Sequence, residues 1–193
     1  MKLPATRALY AYWDRLRGGR AAPERSELDP GAIRTLLGDV FLLEFAGANR
    51  YLVRLAGTRI CTLLGHEWKS RPFAEPFAAE DRPELQALLD GVSNAAVPAV
   101  AGITAETQDG RHLDLEMLVL PLRHRGRTNA RLLGSLATGK WPYWAGQVPL
   151  SRFRLNSVRH LRPDDAAGDD LDLVTPPPRM PLGRLRLLPG GRA

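Results

Sequence analysis

VPAVAGITAETQDGRHLDLEMLVLPL, residues 97–122, decides the fold. After Pro98 the stretch 97–106 reads as a strand, Asp109-Gly110 is a tight hairpin turn, and 113–122 alternates apolar and polar positions. Leu113, Leu115, Met117 and Val119 fall on one face of the second strand, and His112, Asp114 and Glu116 on the other. That is an antiparallel hairpin with one buried face. Downstream, the polar turn Gly126-Arg127-Thr128 leads into a further strand over 129–138. Upstream, 41–45 and 51–56 form another hairpin: Phe41, Leu43 and Phe45 alternate onto one face, as do Tyr51, Val53 and Leu55, with Gly47-Ala48-Asn49 as the turn.

Helical periodicity surrounds these strands. Residues 5–17 carry Leu9, Tyr12, Trp13 and Leu16 at helical spacing, and Gly18-Gly19 ends the run. Asp29-Pro30 predicts a second helix through Ile33, Leu36 and Leu37 that stops near Gly38. Between the two hairpins lie short helical pieces at 58–64 and 73–77 and a longer helix over 81–89. Strands interrupted by one helical insert imply an α+β domain: a five-stranded antiparallel sheet covered by short helices, with an N-terminal helical extension. The core rests on Leu, Val, Ile and Ala, because aromatic residues are only 7% of the chain. From Arg159 the character changes, with an acidic cluster (Asp164, Asp165, Asp169, Asp170, Asp172), then Pro176-Pro177-Pro178 and an Arg-rich end. Such a stretch buries little apolar area to offset its ordering entropy and reads as a flexible tail.

Composition limits the function classes. The 193 residues are enough for one core but short for two. The single Cys61 forms no intramolecular disulfide, and no signal peptide is evident, so the protein reads as cytoplasmic. The longest uncharged run, 91–105, is short of the ~20 residues a membrane helix needs, so no span is expected. The net charge of +6 is carried almost wholly by Arg. These residues are spread along the chain without a run, so nucleic-acid binding is set second, as an adaptor that holds nucleic acid or an anionic surface.

No motif carries enzyme chemistry. Residues 134–140 match the start of a phosphate-binding loop, but Trp141 and Pro142 follow where a magnesium-holding hydroxyl and a helix are needed. His112, Asp114 and Glu116 share a strand face, which is also what any half-exposed strand shows, so they are read as solvated. His66, His124 and His160 lack a second ligand at zinc spacing, and Cys61 on an apolar helical stretch is read as a buried, inert thiol. Arg15, Arg17, Arg20 and Arg25 suit a solvated helix end. No catalytic residue and no metal site are assigned.

The middle of the chain resembles a PAS domain in Ala56-Gly57-Thr58-Arg59-Ile60, Leu64-Gly65-His66-Glu67, Arg71-Pro72-Phe73 and Phe77-Ala-Ala-Glu-Asp81-Arg82. Asp109-Gly110, Pro121 and Gly134 fall where that family has a turn, an edge residue and a close approach. The opening Trp13-Asp-Arg-Leu-Arg-Gly-Gly-Arg20, with Pro23, Arg25, Leu28-Asp-Pro30, Phe41-Leu-Leu43 and Arg54-Leu-Ala-Gly-Thr58, is similar to the alphaproteobacterial single-domain PAS_5 group. The resemblance spans roughly residues 8–140. It implies helices over a five-stranded sheet, an interior that either holds a small ligand or is only packed, and non-enzymatic sensing or regulation through protein contacts. Arg59-Ile60-Cys61-Thr62 departs from the flavin-photoreceptor run, and 81–89 has no axial His for haem, so the cofactor is left unassigned.

The expectations are therefore these. Residues 1–38 form an N-terminal helical cap, 39–145 a PAS-like domain and 146–193 a C-terminal extension that is largely flexible. An internal ligand site would lie among Phe45, Val53, Leu55, Ile60, Leu64, Phe73, Ile103, Leu115, Met117 and Leu136, where the sheet meets the helices. The protein pairs as a homodimer through Tyr10, Trp13 and Leu16 and contacts a protein signalling partner.

Overall fold

Pro4 at the first helical position, an apolar stripe at helical spacing and a glycine stop together form the first helix, α1, Pro4–Arg17. The computed structural model describes residues 1–47, 50–124 and 127–161. Helix α1 buries Leu9, Tyr10, Tyr12 and Trp13 and ends where Gly18 takes a φ of 54°. The helix predicted after Asp29 is instead a pair of 3-10 turns, Pro30–Ile33 and Leu37–Asp39. Asp29 accepts a hydrogen bond from the Gly31 amide at 2.8 Å and starts the first turn. Gly31 and Gly38 make a continuous α-helix there costly, at about 1 kcal/mol each relative to Ala.

The strands are β1 (Val40–Phe45), β2 (Tyr51–Ala56), β3 (Ala99–Thr107), β4 (His112–His124), β5 (Arg127–Ala137) and β6 (Leu150–His160). They form one antiparallel sheet in the order β2-β1-β5-β4-β3-β6. Between β2 and β3 lie α2 (Thr58–Leu64) and α3 (Arg82–Ala95), the latter running well past its predicted end. The piece predicted as helical at 73–77 is a set of turns, closed by Glu75 N–H to the Pro72 carbonyl and Phe77 N–H to the Ala74 carbonyl.

The sheet has six strands where the sequence predicts five. Strand β6 lies in the segment expected to be a flexible extension from 146, and it pairs with β3 along its length. Its inward residues are Leu150, Phe153, Leu155 and Val158. Two register shifts, at Gly102/Ile103 and Glu106/Thr107, break the period of two and disguise the strand in the sequence. The flexible tail expected beyond residue 161 lies outside the described residues, as do the tips of the turns expected at 47–49 and 126–128.

Two apolar clusters, one on each face of the sheet, hold the fold. The inner cluster joins Phe41, Leu43, Val53, Ile103, Leu115, Met117 and Leu136 to Ile60, Leu63 and Leu64 of α2 and Leu85, Leu88, Leu89 and Val92 of α3. The outer cluster joins Val40, Leu42, Leu118, Leu120, Leu122 and Leu133 to Leu9, Tyr10, Tyr12 and Trp13 of α1. Each fully buried side chain of this size contributes roughly 1.5–3 kcal/mol of transfer free energy. At Gly134 of β5 the close approach is literal: an added Cβ would stand 2.2 Å from Phe41 Cζ and 2.4 Å from the Leu118 carbonyl oxygen. Only glycine lets Phe41 lie flat across the middle of the sheet.

Candidate ligand and partner sites

The interior is where an internal ligand would sit, and eight of the ten residues expected there do meet. Val53, Ile60, Leu64, Phe73, Ile103, Leu115, Met117 and Leu136 belong to one buried cluster. The two others do not. Phe45 is 39% exposed and Leu55 47% exposed. The β1–β2 register slips between Leu42 and Leu43, so Leu43 pairs with Val53 while Leu42 pairs with Leu55. The slip reverses the phase of Leu55 and turns it away from the inner face, where strict alternation had put it. Phe45 lies at the end of β1, its ring 5.5 Å from that of Tyr51 at the rim.

Five aromatic rings pack in a chain through the interior. Phe73 stands at the centre, 4.8 Å from Phe41, 4.9 Å from Trp68 in a stacked arrangement and 5.9 Å from Phe77, whose ring meets Phe153 edge-on at 5.4 Å. Trp68, Phe73 and Phe153 are each no more than 1% exposed. Of the five, the expected pocket included Phe73 alone. Phe41 was legible from strand alternation, but Trp68, Phe77 and Phe153 reach the column only through turns and the bulged strand β6.

The polar edge of this interior is built around Tyr51. Its hydroxyl donates to Asp90 Oδ1 at 3.0 Å, and Gln86 Nε2 holds the same carboxylate at 3.0 and 3.1 Å. Burial, with the Asp90 charge adding to it, pushes the phenol from its ordinary 10.0 up to about 12. A raised acid pKa means the folded state favours the neutral phenol. That contribution is complete below pH 10 and is lost as pH rises toward about 12. Urea midpoints of the native chain are therefore expected to fall over that alkaline window more than those of Tyr51→Phe, and parallel pH profiles of the two proteins would refute the assignment.

Cys61 is half-buried rather than buried, 3.9 Å from the Ala56 carbonyl and 3.7 Å from Glu67 Oε2. Partial burial, with the nearby Glu67 carboxylate, raises the thiol pKa and so keeps it in its less reactive, protonated form.

The residues expected at a dimer interface are committed within the chain. Tyr10 is 5% and Trp13 1% exposed, and both lie in the outer cluster, with the partly buried Leu16 packed against it. Trp13 Nε1 donates to the Pro121 carbonyl of β4 at 2.8 Å, and the Arg17 guanidinium lies 5.3 Å above its ring. Amphipathicity marks a face that must be covered, and here the chain's own sheet covers it.

His112, Asp114 and Glu116 do share the outer face, each engaged differently. His112 lies 3.7 Å from Glu106, Asp114 accepts from Thr104 Oγ1 at 3.0 Å, and Glu116 accepts from the Lys2 and Leu3 amides at 2.7 and 3.0 Å. Asp114 and Glu116 border a cavity of about 620 Å³ between residues 1–3 and strands β3, β4 and β6. The sequence carried no signal for this cavity, because β6 forms one of its sides.

A family profile described as PAS_5, PAS domain, matches residues 1–137. No curated protein matches the chain. Among solved structures, the light state of the blue-light photoreceptor Aureochrome1 LOV is similar at 14% identity and a TM-score of 0.44, over 56% of this chain and 87% of that one. A Light-Oxygen-Voltage domain studied with a flavin analogue is 15% identical with a TM-score of 0.45, over 57% of this chain and 83% of that one. An RNA-binding Light-Oxygen-Voltage receptor is 15% identical with a TM-score of 0.43, over 65% of this chain and 36% of that one.

Proposed function

The chain belongs to the PAS_5 family of PAS domains, a family of sensory modules, and from that premise we propose that it is a non-enzymatic regulatory module that acts through protein contacts as a homodimer. The observation that carries this reading is the aromatic packing of the interior. Rings from Phe41, Trp68, Phe73, Phe77 and Phe153 occupy the space between sheet and helices, which favours signalling through surfaces over a ligand in the core. A single free cysteine, Cys61, suits a reducing cytoplasm.

With Tyr10 and Trp13 buried, the pairing surface has to be sought elsewhere. Trp141 is 44% and Tyr143 82% exposed, in the connection between β5 and β6. Tyrosine and tryptophan are the residue types that dominate interface energetics. Sedimentation velocity up to high-micromolar concentration is expected to show a dimer, with Trp141→Ala and Tyr143→Ala each weakening it at least about fivefold. A protein that stays monomeric throughout overturns the homodimer.

The alternative, a basic adaptor for nucleic acid or an anionic surface, draws less support. Arg20, Arg59, Arg123, Arg152 and Arg154 are all paired with carboxylates, as are Arg54 and Arg71, so the charge of these seven is already engaged within the fold. Binding to nucleic acid that weakened steeply with salt would restore it.

A further inference from the structure

We propose that the outer surface of β3, β4 and β6, uncovered among the described residues, is a binding site for a small organic carboxylate with an apolar body, anchored by Arg159. Helix α1 covers the outer face over β1, β5 and the far half of β4, through Leu42, Leu118, Leu120, Leu122 and Leu133, and the cluster ends on β3 at Val100. Toward β3 and β6 the sheet has a depression. Gly102 contributes no side chain, and the Ser157 hydroxyl is the one neighbour within 4 Å of where its Cβ would stand. The β3–β6 register shift at Gly102/Ile103 falls at the same place. The resulting cavity, about 620 Å³, lies within the range of about 300–1,000 Å³ usual for small-molecule sites.

Its lining divides by chemistry. Met1, Leu3 and Val100 are apolar. The two carboxylates already have partners: Glu116 holds the amides of Lys2 and Leu3, and Asp114 belongs to a relay in which Asn156 Nδ2 donates to Thr104 Oγ1 at 2.7 Å and Thr104 donates to Asp114. On the strands that form the cavity, Arg159 is the charged side chain left over. Its Nε is buried without a hydrogen-bond partner, and its guanidinium makes no ion pair among the described residues. A buried charged donor without an acceptor costs free energy that an acceptor would recover. Among the described residues the site therefore lacks an anion, and a guanidinium fork matches a carboxylate bidentately. Asp114 and Glu116 nearby disfavour a dianion such as a phosphate monoester, and the apolar wall selects a hydrocarbon body over a bare ion. The site lies across the sheet from the aromatic interior and does not depend on the homodimer reading.

The test is a two-dimensional ¹⁵N NMR titration of the full chain with sodium octanoate, with octanol and octylammonium as controls. Octanoate is expected to shift the amides of Gly102, Ser157 and Arg159 saturably, and neither control to do so. Arg159→Gln should weaken octanoate at least about tenfold, whereas Arg159→Lys should retain part of the affinity. The proposal is overturned if no saturable shift occurs, if octanol binds as well, if the shifts fall on the interior around Met117, or if Arg159→Gln binds like the native chain. None of these outcomes touches the sedimentation result.

Discussion

Trp13→Ala is expected to lower the unfolding free energy by about 3–5 kcal/mol, read as a fall in the urea midpoint at unchanged slope. Trp13 is 1% exposed, and truncating it removes the largest side chain that α1 sets against the sheet. The indole N–H also satisfies the Pro121 carbonyl at 2.8 Å, so the variant leaves a cavity and an orphaned buried acceptor together. Trp13→Phe separates the two effects, since it keeps most of the volume and loses only the hydrogen bond. The result also decides between two roles for the helix. If Trp13 served a two-fold interface, the substitution would leave a stable monomer and change only dimer dissociation. As a core residue it weakens the fold at every protein concentration.

Phe73→Ala is expected to have an effect of the same size, about 3–5 kcal/mol, from the other face of the sheet. Phe73 touches three other rings, at 4.8, 4.9 and 5.9 Å, so its loss opens a void that Phe41, Trp68 and Phe77 cannot close without leaving their own contacts. Against a total stability of about 5–15 kcal/mol this is a large fraction, and Phe73→Leu provides a milder companion that stays folded. A dry apolar cavity of this kind takes up small apolar molecules. Benzene is therefore expected to raise the midpoint of Phe73→Ala and to leave the native chain unchanged. An unaltered midpoint in Phe73→Ala would mean that the interior is not closed by packing, and the preference for surface signalling would go with it.

The inner face of the sheet was legible because period-two alternation in β4 and the first half of β2 needs only local chain geometry: Leu113, Leu115, Met117, Val119, Tyr51 and Val53 all face where alternation puts them. The same rule misplaced Leu55 and passed over β6, since a bulge changes the phase of a strand without changing the composition around it. The glycine close approach at Gly134 was expected from family resemblance, and its cause, the Phe41 ring lying across the strand, is a contact between residues far apart in sequence.

Taken alone, the amino-acid order determined the class of fold, the helical insert between the two hairpins and the amphipathic character of α1, because each follows from periodicity and turn chemistry within a few residues. Tertiary structure alone decided that α1 lies on its own sheet, that aromatic rings from β1, β6 and the turns before α3 pack together in the interior, and that Arg159 faces an open depression with its Nε unpartnered among the described residues. Those outcomes depend on which surfaces meet across long sequence separations, and a chain position carries no record of what will be packed against it.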